Sequence, residues 1–303
     1  MENKKKKGLK QILGEERVAG YVFSLPFIVG FLMFLLIPMI LSLYYSFCKY
    51  DIQNAPKFIG LKNYINIFQD DIFWKALKVT CYYALIGTPL KVIFALIIAL
   101  ILVRDTKATG FYRATYYLPS IIGGSVAVAI LWRRMFESTG IINAFLSLMF
   151  PGMKNFNWFS ESSAIWVLII LTVWQFGSSM LIFLSALKQI NKELYEAAMV
   201  DGANKWRQFW KITLPLLTPT IFFNLVQQTI NSFLAFTQSK LITNGDPKNS
   251  TLFYTLYVYN KAFPTQGKSQ MGYASALAWI MLVIVSTVTA LLFLSRNKWV
   301  YED

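Results

Sequence analysis

Apolar residues along the chain gather in six long blocks, and polar or charged residues separate each block from the next. A helix needs about 20 mostly apolar residues to cross the hydrocarbon core of a bilayer. The pattern therefore predicts an all-α integral membrane protein with six membrane-spanning helices. The predicted spans are Tyr21–Phe47, Val79–Val103, Thr115–Trp132, Ser163–Leu187, Leu216–Thr237 and Tyr273–Ser295.

The first block follows a basic run, Lys4–Lys7, and this order also occurs in secretory signal peptides. The apolar region of a signal peptide is about 7–15 residues long and ends at a small-residue cleavage site. The block here is much longer, and no Ala-x-Ala site follows it. We therefore expect it to remain in the protein as a true span.

Basic residues indicate how the six spans are oriented. If the N-terminus is cytosolic, sixteen Lys and Arg face the cytosol and twelve lie in the longer outer loops. Because positive charge concentrates on the cytosolic side of membranes, both termini are expected there. The chain then divides into a basic cytosolic segment, 1–20, a six-span domain, 21–295, and a cytosolic tail, 296–303. The cytosolic segments are 1–20, 104–114, 188–215 and 296–303.

Proline and glycine interrupt several of the predicted spans. Broken helices at membrane depth occur where they line a cavity or pack on protein, but an ordinary kink explains the same residues. Both interpretations stay open at each position. The interrupting residues are Pro26, Gly30, Pro38, Gly87, Pro89 and Gly177.

Composition excludes several classes of protein. Hydrophobic residues make up 56% of the chain and charged residues only 15%, whereas soluble proteins carry about 25% charged residues. The net charge of +14 comes from residues scattered between apolar blocks, which does not fit a nucleic-acid-binding surface. Two cysteines, Cys48 and Cys81, are too few for a disulfide framework or a metal site.

The chain also lacks residues that catalysis or ion-coupled transport usually requires. The chain has no histidine, no Gly-x-Ser-x-Gly string and no Walker-type phosphate loop. The six predicted spans contain no Asp or Glu, although an ion-coupled transporter usually needs carboxylates within the membrane. The chain is therefore not expected to be an enzyme, and any ATP that drives it must bind to another subunit.

The loop at 191–215 has a distinct pattern between two spans. A helix is expected to open at Asn191, with Glu193 in its first turn, and to stop at Gly202, which permits a turn with positive φ. A second amphipathic helix follows, and Pro215 marks entry into the fifth span. A short exposed helix of this kind suits a groove on a partner protein, but a helix lying on the membrane surface has the same pattern.

Three strings in this loop resemble the EAA loop of bacterial ABC-importer permeases. They are Glu196-Ala197-Ala198, then Gly202, then Ile212-Thr213-Leu214-Pro215. More narrowly, nearly the whole chain resembles carbohydrate-uptake permeases of the maltose-importer type. Three further strings agree: Phe58-Ile59-Gly60-Leu61-Lys62-Asn63-Tyr64, Leu118-Pro119, and Leu241-Ile242-Thr243-Asn244-Gly245-Asp246-Pro247.

The resemblance implies a role and a set of partners. The EAA helix of that family is the coupling helix, which sits in a cleft of the ATP-binding subunit. The implied partners are a second homologous permease, two ATPases that bind ATP and Mg, and an extracytoplasmic solute-binding protein, with no cofactor in this chain. The implied place is the bacterial cytoplasmic membrane. The implied coupling residues are Glu196, Ala197, Ala198, Asp201 and Gly202.

Polar residues in the fourth and fifth spans are candidates for contact with substrate. Aromatic rings beside amides and hydroxyls suit a sugar, and counting from the loop strings matches these positions to the family's sugar contacts. Hydrogen bonds between helices of the bundle explain the same residues, and importers of glycerol-phosphate, amino acids or acidic sugars stay open as alternatives. The candidates are Trp174, Gln175, Ser178, Gln228, Asn231, Ser232 and Ala235.

Lys91 is the one charged residue within the six predicted spans. A charge at this depth usually faces the interior of the bundle or a wet cavity. Lys91 is expected either to meet an anionic substrate such as an acidic sugar, to bind a backbone carbonyl, or to extend toward the membrane surface.

Overall fold

The computed structural model describes residues 16–104 and 108–301, and nearly all regular structure in this part of the chain is helical. The predicted segment 1–20 lies mostly outside the described residues, as do the last two residues of the predicted tail. The α-helices are α1 Glu16–Phe31, α2 Ile37–Ser46, α3 Lys62–Phe68, α4 Asp71–Leu102, α5 Thr109–Ile122, α6 Val126–Met135, α7 Ile141–Met149, α8 Ala164–Trp174, α9 Gly177–Gln189, α10 Lys192–Val200, α11 Lys205–Gln208, α12 Leu214–Phe233, α13 Tyr254–Ala262 and α14 Met271–Arg296.

Short irregular elements join some of these helices. Five-residue π-helical turns at Leu32–Leu36 and Phe209–Thr213 link α1 to α2 and α11 to α12 without a break, and a third lies at Ser239–Thr243. Strands β1 Cys48–Lys49 and β2 Lys57–Phe58 pair antiparallel, with Cys48 opposite Phe58. A 3₁₀ turn at Pro151–Met153 follows α7.

Four continuous helices are long and apolar enough to cross a membrane: Phe23–Ser46, Asp71–Leu102, Lys205–Phe233 and Met271–Arg296. Two bent pairs, α5 with α6 and α8 with α9, bring the number to six if each pair is one span. The prediction of an all-α membrane protein is confirmed.

The third predicted span, Thr115–Trp132, is not one helix. Its two halves, α5 and α6, meet at 99° around Gly123 and Gly124. The side chain of Ser125 caps the N-terminus of α6 by accepting from the amide of Val128 at 3.3 Å. The Gly-Gly-Ser string was therefore a stronger break signal than most of the prolines and glycines singled out from the sequence.

The fourth predicted span also breaks, in this case where a glycine was singled out. Helices α8 and α9 meet at 40°, and Gly177 begins α9. A Cβ at Gly177 would lie 2.5 Å from the carbonyl oxygen of Tyr116, so the absence of a side chain lets α9 approach α5. Gly87 and Pro89, in contrast, lie within the uninterrupted helix α4.

Helix α4 runs through three buried clusters and joins them. At one end, Phe73 and Ala84 pack with residues of α12, α13 and α14, including Phe233 and Tyr254. In the middle, Tyr83 packs with α6 and α8. At the other end, Val92, Ala95 and Ala99 pack with α9 and with Leu217 of α12. Helices α4 and α12 are therefore antiparallel neighbours.

A charged cluster ties three segments together at the predicted outer end. The carboxylate of Asp70, before α4, accepts hydrogen bonds from the hydroxyls of Tyr257 on α13 and, at 3.0 Å, Tyr273 on α14. The ammonium of Lys261 lies 3.7 Å from the same oxygen. Burial raises the pKa of Asp70, but the hydrogen bonds from Tyr257, from the amide of Ile72 and from Tyr273, with the Lys261 charge, hold that pKa below its ordinary value.

Replacing Asp70 with asparagine is expected to lower the melting temperature of the purified protein by several degrees at neutral pH, because hydrogen bonds to an ionised group are lost. Since the pKa of Asp70 is lowered on folding, its stabilising effect is present above the ordinary Asp pKa. That effect is lost as the pH falls through the lowered value.

Thermal unfolding of Asp70→Asn across acid to neutral pH tests this expectation. Asp71→Asn is the matched control, since Asp71 is the next residue and is exposed. A difference from wild type that stays constant with pH, or an equal loss in the control, would contradict the role of Asp70.

Candidate functional site

Helix α10 begins where the sequence predicted and carries no buried residue. The side chain of Asn191 caps it by accepting from the amide of Glu193 at 3.0 Å. Several apolar side chains on it are left to solvent. The exposed fractions are 46% for Leu194, 59% for Met199 and 89% for Val200.

The turn after α10 is tight and exposed. Gly202 has φ +74°, as its position predicted, and a Cβ there would meet no atom within 4 Å. Backbone bonds close the turn, including 2.8 Å from the amide of Ala203 to the carbonyl of Ala198. Asn204 then caps α11 by accepting from the amide of Arg207 at 2.9 Å. Both sides of the turn are thus fixed by local hydrogen bonds.

One side-chain contact attaches α10 to the helix that continues into the fifth span, and a second joins the turn after α10 to that helix. The hydroxyls of Tyr195 and Thr213 share a hydrogen bond of 2.9 Å, and Thr213 is buried. The side-chain amide of Gln208 donates to the carbonyl of Ala203 at 3.0 Å. Because Lys205–Phe233 is one continuous helix, a displacement of α10 would act directly on the fifth span. The sequence had indicated a separate second helix; the π-helical turn before Leu214 instead joins the two.

The five predicted coupling residues all lie on α10 and its turn. Glu196, Ala197, Asp201 and Gly202 are exposed, and Ala198 is half-buried. Small side chains beside a carboxylate allow close approach of a partner and a charge-assisted hydrogen bond to a basic residue on it. Four of the five are therefore accessible to a partner protein.

A polar cluster within the spans links α4, α9 and α12. Thr88 and Ser232 share a hydroxyl–hydroxyl hydrogen bond of 2.9 Å. The side-chain amide of Gln228 donates to the hydroxyl of Ser179 at 3.1 Å. All four residues are buried. The sequence analysis did not select Thr88 and Ser179, since each is a lone hydroxyl whose partner is distant along the chain.

The candidates on the fourth span hold the break between α8 and α9. Gln175 donates to the carbonyl of Gly123 at 3.0 Å, and its own carbonyl accepts from Ser120 at 3.0 Å. The amide of Ser178 donates to the same Ser120 hydroxyl at 3.1 Å. Trp174 packs on a ring of α6, that of Trp132, with 5.4 Å between centroids. The side-chain amide of Gln175 and the backbone at the break are thus engaged with α5 and the turn after it.

The candidates on α12 divide between two faces. Gln228 and Ser232 point into the bundle, and Ala235, just beyond the helix, packs on the middle cluster. Asn231 is exposed, together with Gln227 one turn earlier. Amide groups are costly against lipid, so this face of α12 requires water or another protein beside it.

Comparison with known proteins gives a consistent set of similarities. The family model described as "binding-protein-dependent transport system inner membrane component" matches residues 72–298. The probable ABC transporter permease protein YesP of Bacillus subtilis (strain 168) is 52% identical over 292 residues, which are 95% of this chain and 94% of YesP. The probable starch degradation products transport system permease protein AmyD of Thermoanaerobacterium thermosulfurigenes is 31% identical over 281 residues, which are 92% of this chain and 94% of AmyD.

A solved structure is similar over the same extent. It is the crystal structure of a bacterial ABC transporter involved in the import of the acidic polysaccharide alginate, and one of its chains is 26% identical to this one. The TM-score is 0.75, with 92% of this chain and 95% of that chain covered.

Proposed function

The chain belongs to the family of binding-protein-dependent transport system inner membrane components, and from this we propose that it is the permease subunit of an ATP-driven importer of a sugar or oligosaccharide. The observation that carries the proposal is the exposed helix α10, which has no buried residue and is attached to the fifth span through Tyr195 and Thr213. Such a helix is a docking element that can pass motion to the membrane.

In this proposal α10 and its turn sit in a cleft of an ATPase subunit. Glu196, Ala197, Ala198, Asp201 and Gly202 make the contact, and the ATPases bind ATP and Mg and carry out hydrolysis. Their movement displaces α10, and the continuous helix that begins at Lys205 carries the displacement to the spans as alternating access. The chain itself performs no bond chemistry and holds no cofactor.

The proposed orientation places both termini and α10 in the cytosol. The basic segment 1–20 and the tail 296–303 then flank the permease domain, 21–295, in the cytoplasmic membrane of a bacterium. The density of basic residues on that side supports this arrangement.

Two further kinds of partner complete the proposed complex. A second homologous permease would lie beside the exposed amides of Gln227 and Asn231, which lipid cannot satisfy. An extracytoplasmic binding protein would deliver the substrate to the outer face, as the description of the family implies.

Carbohydrate is the proposed substrate class. AmyD is named for starch degradation products, and the similar crystal structure imports a polysaccharide. The hydroxyl and amide groups of Gln228, Ser232 and Thr88 suit sugar hydroxyls, and Trp174 on α8 has an aromatic face that suits a sugar ring. In this proposal Gln175, Ser178, Asn231 and Ala235 also lie along the substrate path.

The proposal is tested by ATPase activity. The chain would be co-expressed with its neighbouring permease and ATPase, reconstituted, and supplied with binding protein loaded from a panel of oligosaccharides. We expect one class of loaded sugar to stimulate hydrolysis several-fold over unloaded binding protein. Failure of the chain to associate with any ATPase, or no stimulation by any loaded sugar, would contradict the importer function.

A further inference from the structure

Lys91 is half-buried on helix α4. The residues one turn before and after it on α4, Gly87, Thr88 and Ala95, are all buried, so Lys91 lies on the buried face of the helix. Leu102, where α4 ends, is eleven positions further along the helix, about 16 Å at the helical rise. A lysine side chain is much shorter than that, so its ammonium cannot reach the end of α4.

The Lys91 ammonium has no partner in the part of the chain that the structure describes. Within 16–104 and 108–301 it makes no hydrogen bond to a carbonyl and no ion pair. The predicted spans offer no Asp or Glu to balance it. Because a charge within a membrane protein is normally paired, we expect a counter-ion that the described residues do not supply.

A second unsatisfied polar group lies at the same level on the facing helix. Asn224 of α12 is fully buried; its amide nitrogen donates to the carbonyl of Thr220 at 3.1 Å. Its side-chain oxygen, in contrast, accepts no hydrogen bond among the described residues. Buried polar atoms without a partner are uncommon and costly, so a group that donates to this oxygen is to be expected.

The register between the helices places the two groups together. Thr88 contacts Gln228 and Ser232, and the two helices are antiparallel. Lys91 is about one turn beyond Thr88, and Asn224 is one turn before Gln228, both toward the predicted cytosolic end. A positive donor and a neutral acceptor thus lie next to the polar cluster of Thr88, Ser179, Gln228 and Ser232.

We propose that Lys91 and Asn224 form a subsite for a uronic acid unit, so that the imported oligosaccharide is acidic. The sugar carboxylate accepts from the Lys91 ammonium, and a sugar hydroxyl donates to the Asn224 oxygen. A simple anion such as chloride would pair only with the Lys91 ammonium, and a neutral sugar would donate only to the Asn224 oxygen. This inference rests on the proposed function and narrows its substrate class.

Direct binding to the reconstituted complex tests the subsite without the selectivity of the binding protein. The probes are trigalacturonate and trimannuronate, with galactotriose and mannotriose as their neutral counterparts, added to the complex in nanodiscs of phosphatidylcholine. The variants are Lys91→Met, which keeps the length of the side chain, and Lys91→Arg, which keeps the charge. Lys78→Met is the matched control, since Lys78 is exposed on the same helix.

We expect an acidic trisaccharide to bind wild type, Lys91→Arg and Lys78→Met, and to bind Lys91→Met at least about ten-fold more weakly, a difference of about 1.4 kcal/mol. Neutral trisaccharides should bind wild type and Lys91→Met alike. Equal weakening for acidic and neutral sugars would show a purely structural role and overturn the proposal. Binding of neither acidic sugar would overturn it too.

A lipid headgroup is the other source of a negative charge. If phosphatidylglycerol in the nanodiscs competes with the acidic sugar only when Lys91 is present, lipid is the counter-ion and the proposal fails. The ATPase experiment distinguishes failure of the acidic subsite from failure of the proposed importer function. Stimulation by neutral sugars alone contradicts the acidic subsite, whereas no stimulation by any loaded sugar contradicts the importer itself.

Discussion

Replacing Gly202 with valine is expected to reduce transport on the order of ten-fold or more while the complex still hydrolyses ATP. Gly202 has φ +74°, a conformation that costs a β-branched residue at least about 1–2 kcal/mol. No atom within 4 Å would meet a Cβ there, so the effect comes from the backbone of the turn and not from a clash. A distorted turn would move the exposed α10 relative to the fifth span.

The expectation is tested by the ratio of transport to ATP hydrolysis, with both rates measured on the same preparation of proteoliposomes. Gly202→Asn is the first control, because asparagine tolerates positive φ better than valine and should keep more of the transport. The second control is Gly60→Val. It places the same residue at another glycine with positive φ (+60°) and open space around it, but at the predicted outer end of the protein and away from α10. Unchanged transport in Gly202→Val would refute the coupling role of this turn.

Replacing Gly272 with alanine is expected to destabilise the folded chain by about 3 kcal/mol, and leucine should prevent its accumulation in the membrane. A Cβ at Gly272 would lie 2.0 Å from the carbonyl oxygen of Cys48 and 3.0 Å from that of Tyr45. Both neighbours are backbone atoms, so the start of α14 would have to move away from α2 and β1. The bond of 3.1 Å from the amide of Gly272 to the carbonyl of Tyr50 would be strained as well.

Membrane yield and thermal unfolding in detergent measure this effect. Gly30→Ala is the matched control, because Gly30 lies within α1 and a Cβ there would meet nothing within 4 Å. That variant should equal or exceed wild type, since alanine favours a helix by about 1 kcal/mol over glycine. If Gly272→Ala and Gly30→Ala were equally stable, α14 would not pack closely against α2 and β1, and the expectation would be wrong.

Much of the fold could be predicted because its signals are local. A run of apolar residues long enough to span lipid has few alternatives to a helix, since a backbone in hydrocarbon must satisfy its own hydrogen bonds. Helix α10 was predicted for a similar reason: Asn191 supplies a capping oxygen, and Gly202 supplies the conformation that ends the helix.

The bends and the fifth span were predicted less well. Pro89 lies within an unbroken helix, whereas Gly123 and Gly124 mark a bend of 99° that the apolar pattern conceals. Pro215 lies just inside α12 and does not separate it from the preceding helix, because a π-helical turn accommodates the change. In both places a local feature that the apolar pattern does not record decides the outcome: the Gly-Gly-Ser string at the bend and the π-helical turn before α12.

The sequence by itself determined that the chain is a six-block helical membrane protein with an exposed helix between the fourth and fifth blocks, because apolar length and capping residues act over one or two turns. Only the tertiary structure decided which polar residues meet: Tyr195 with Thr213, Gln228 with Ser179, and Thr88 with Ser232. The last of these pairs joins helices more than a hundred residues apart in the chain. Such pairings depend on how whole helices pack, and the free energy of that packing is shared among many contacts that no short stretch of sequence contains.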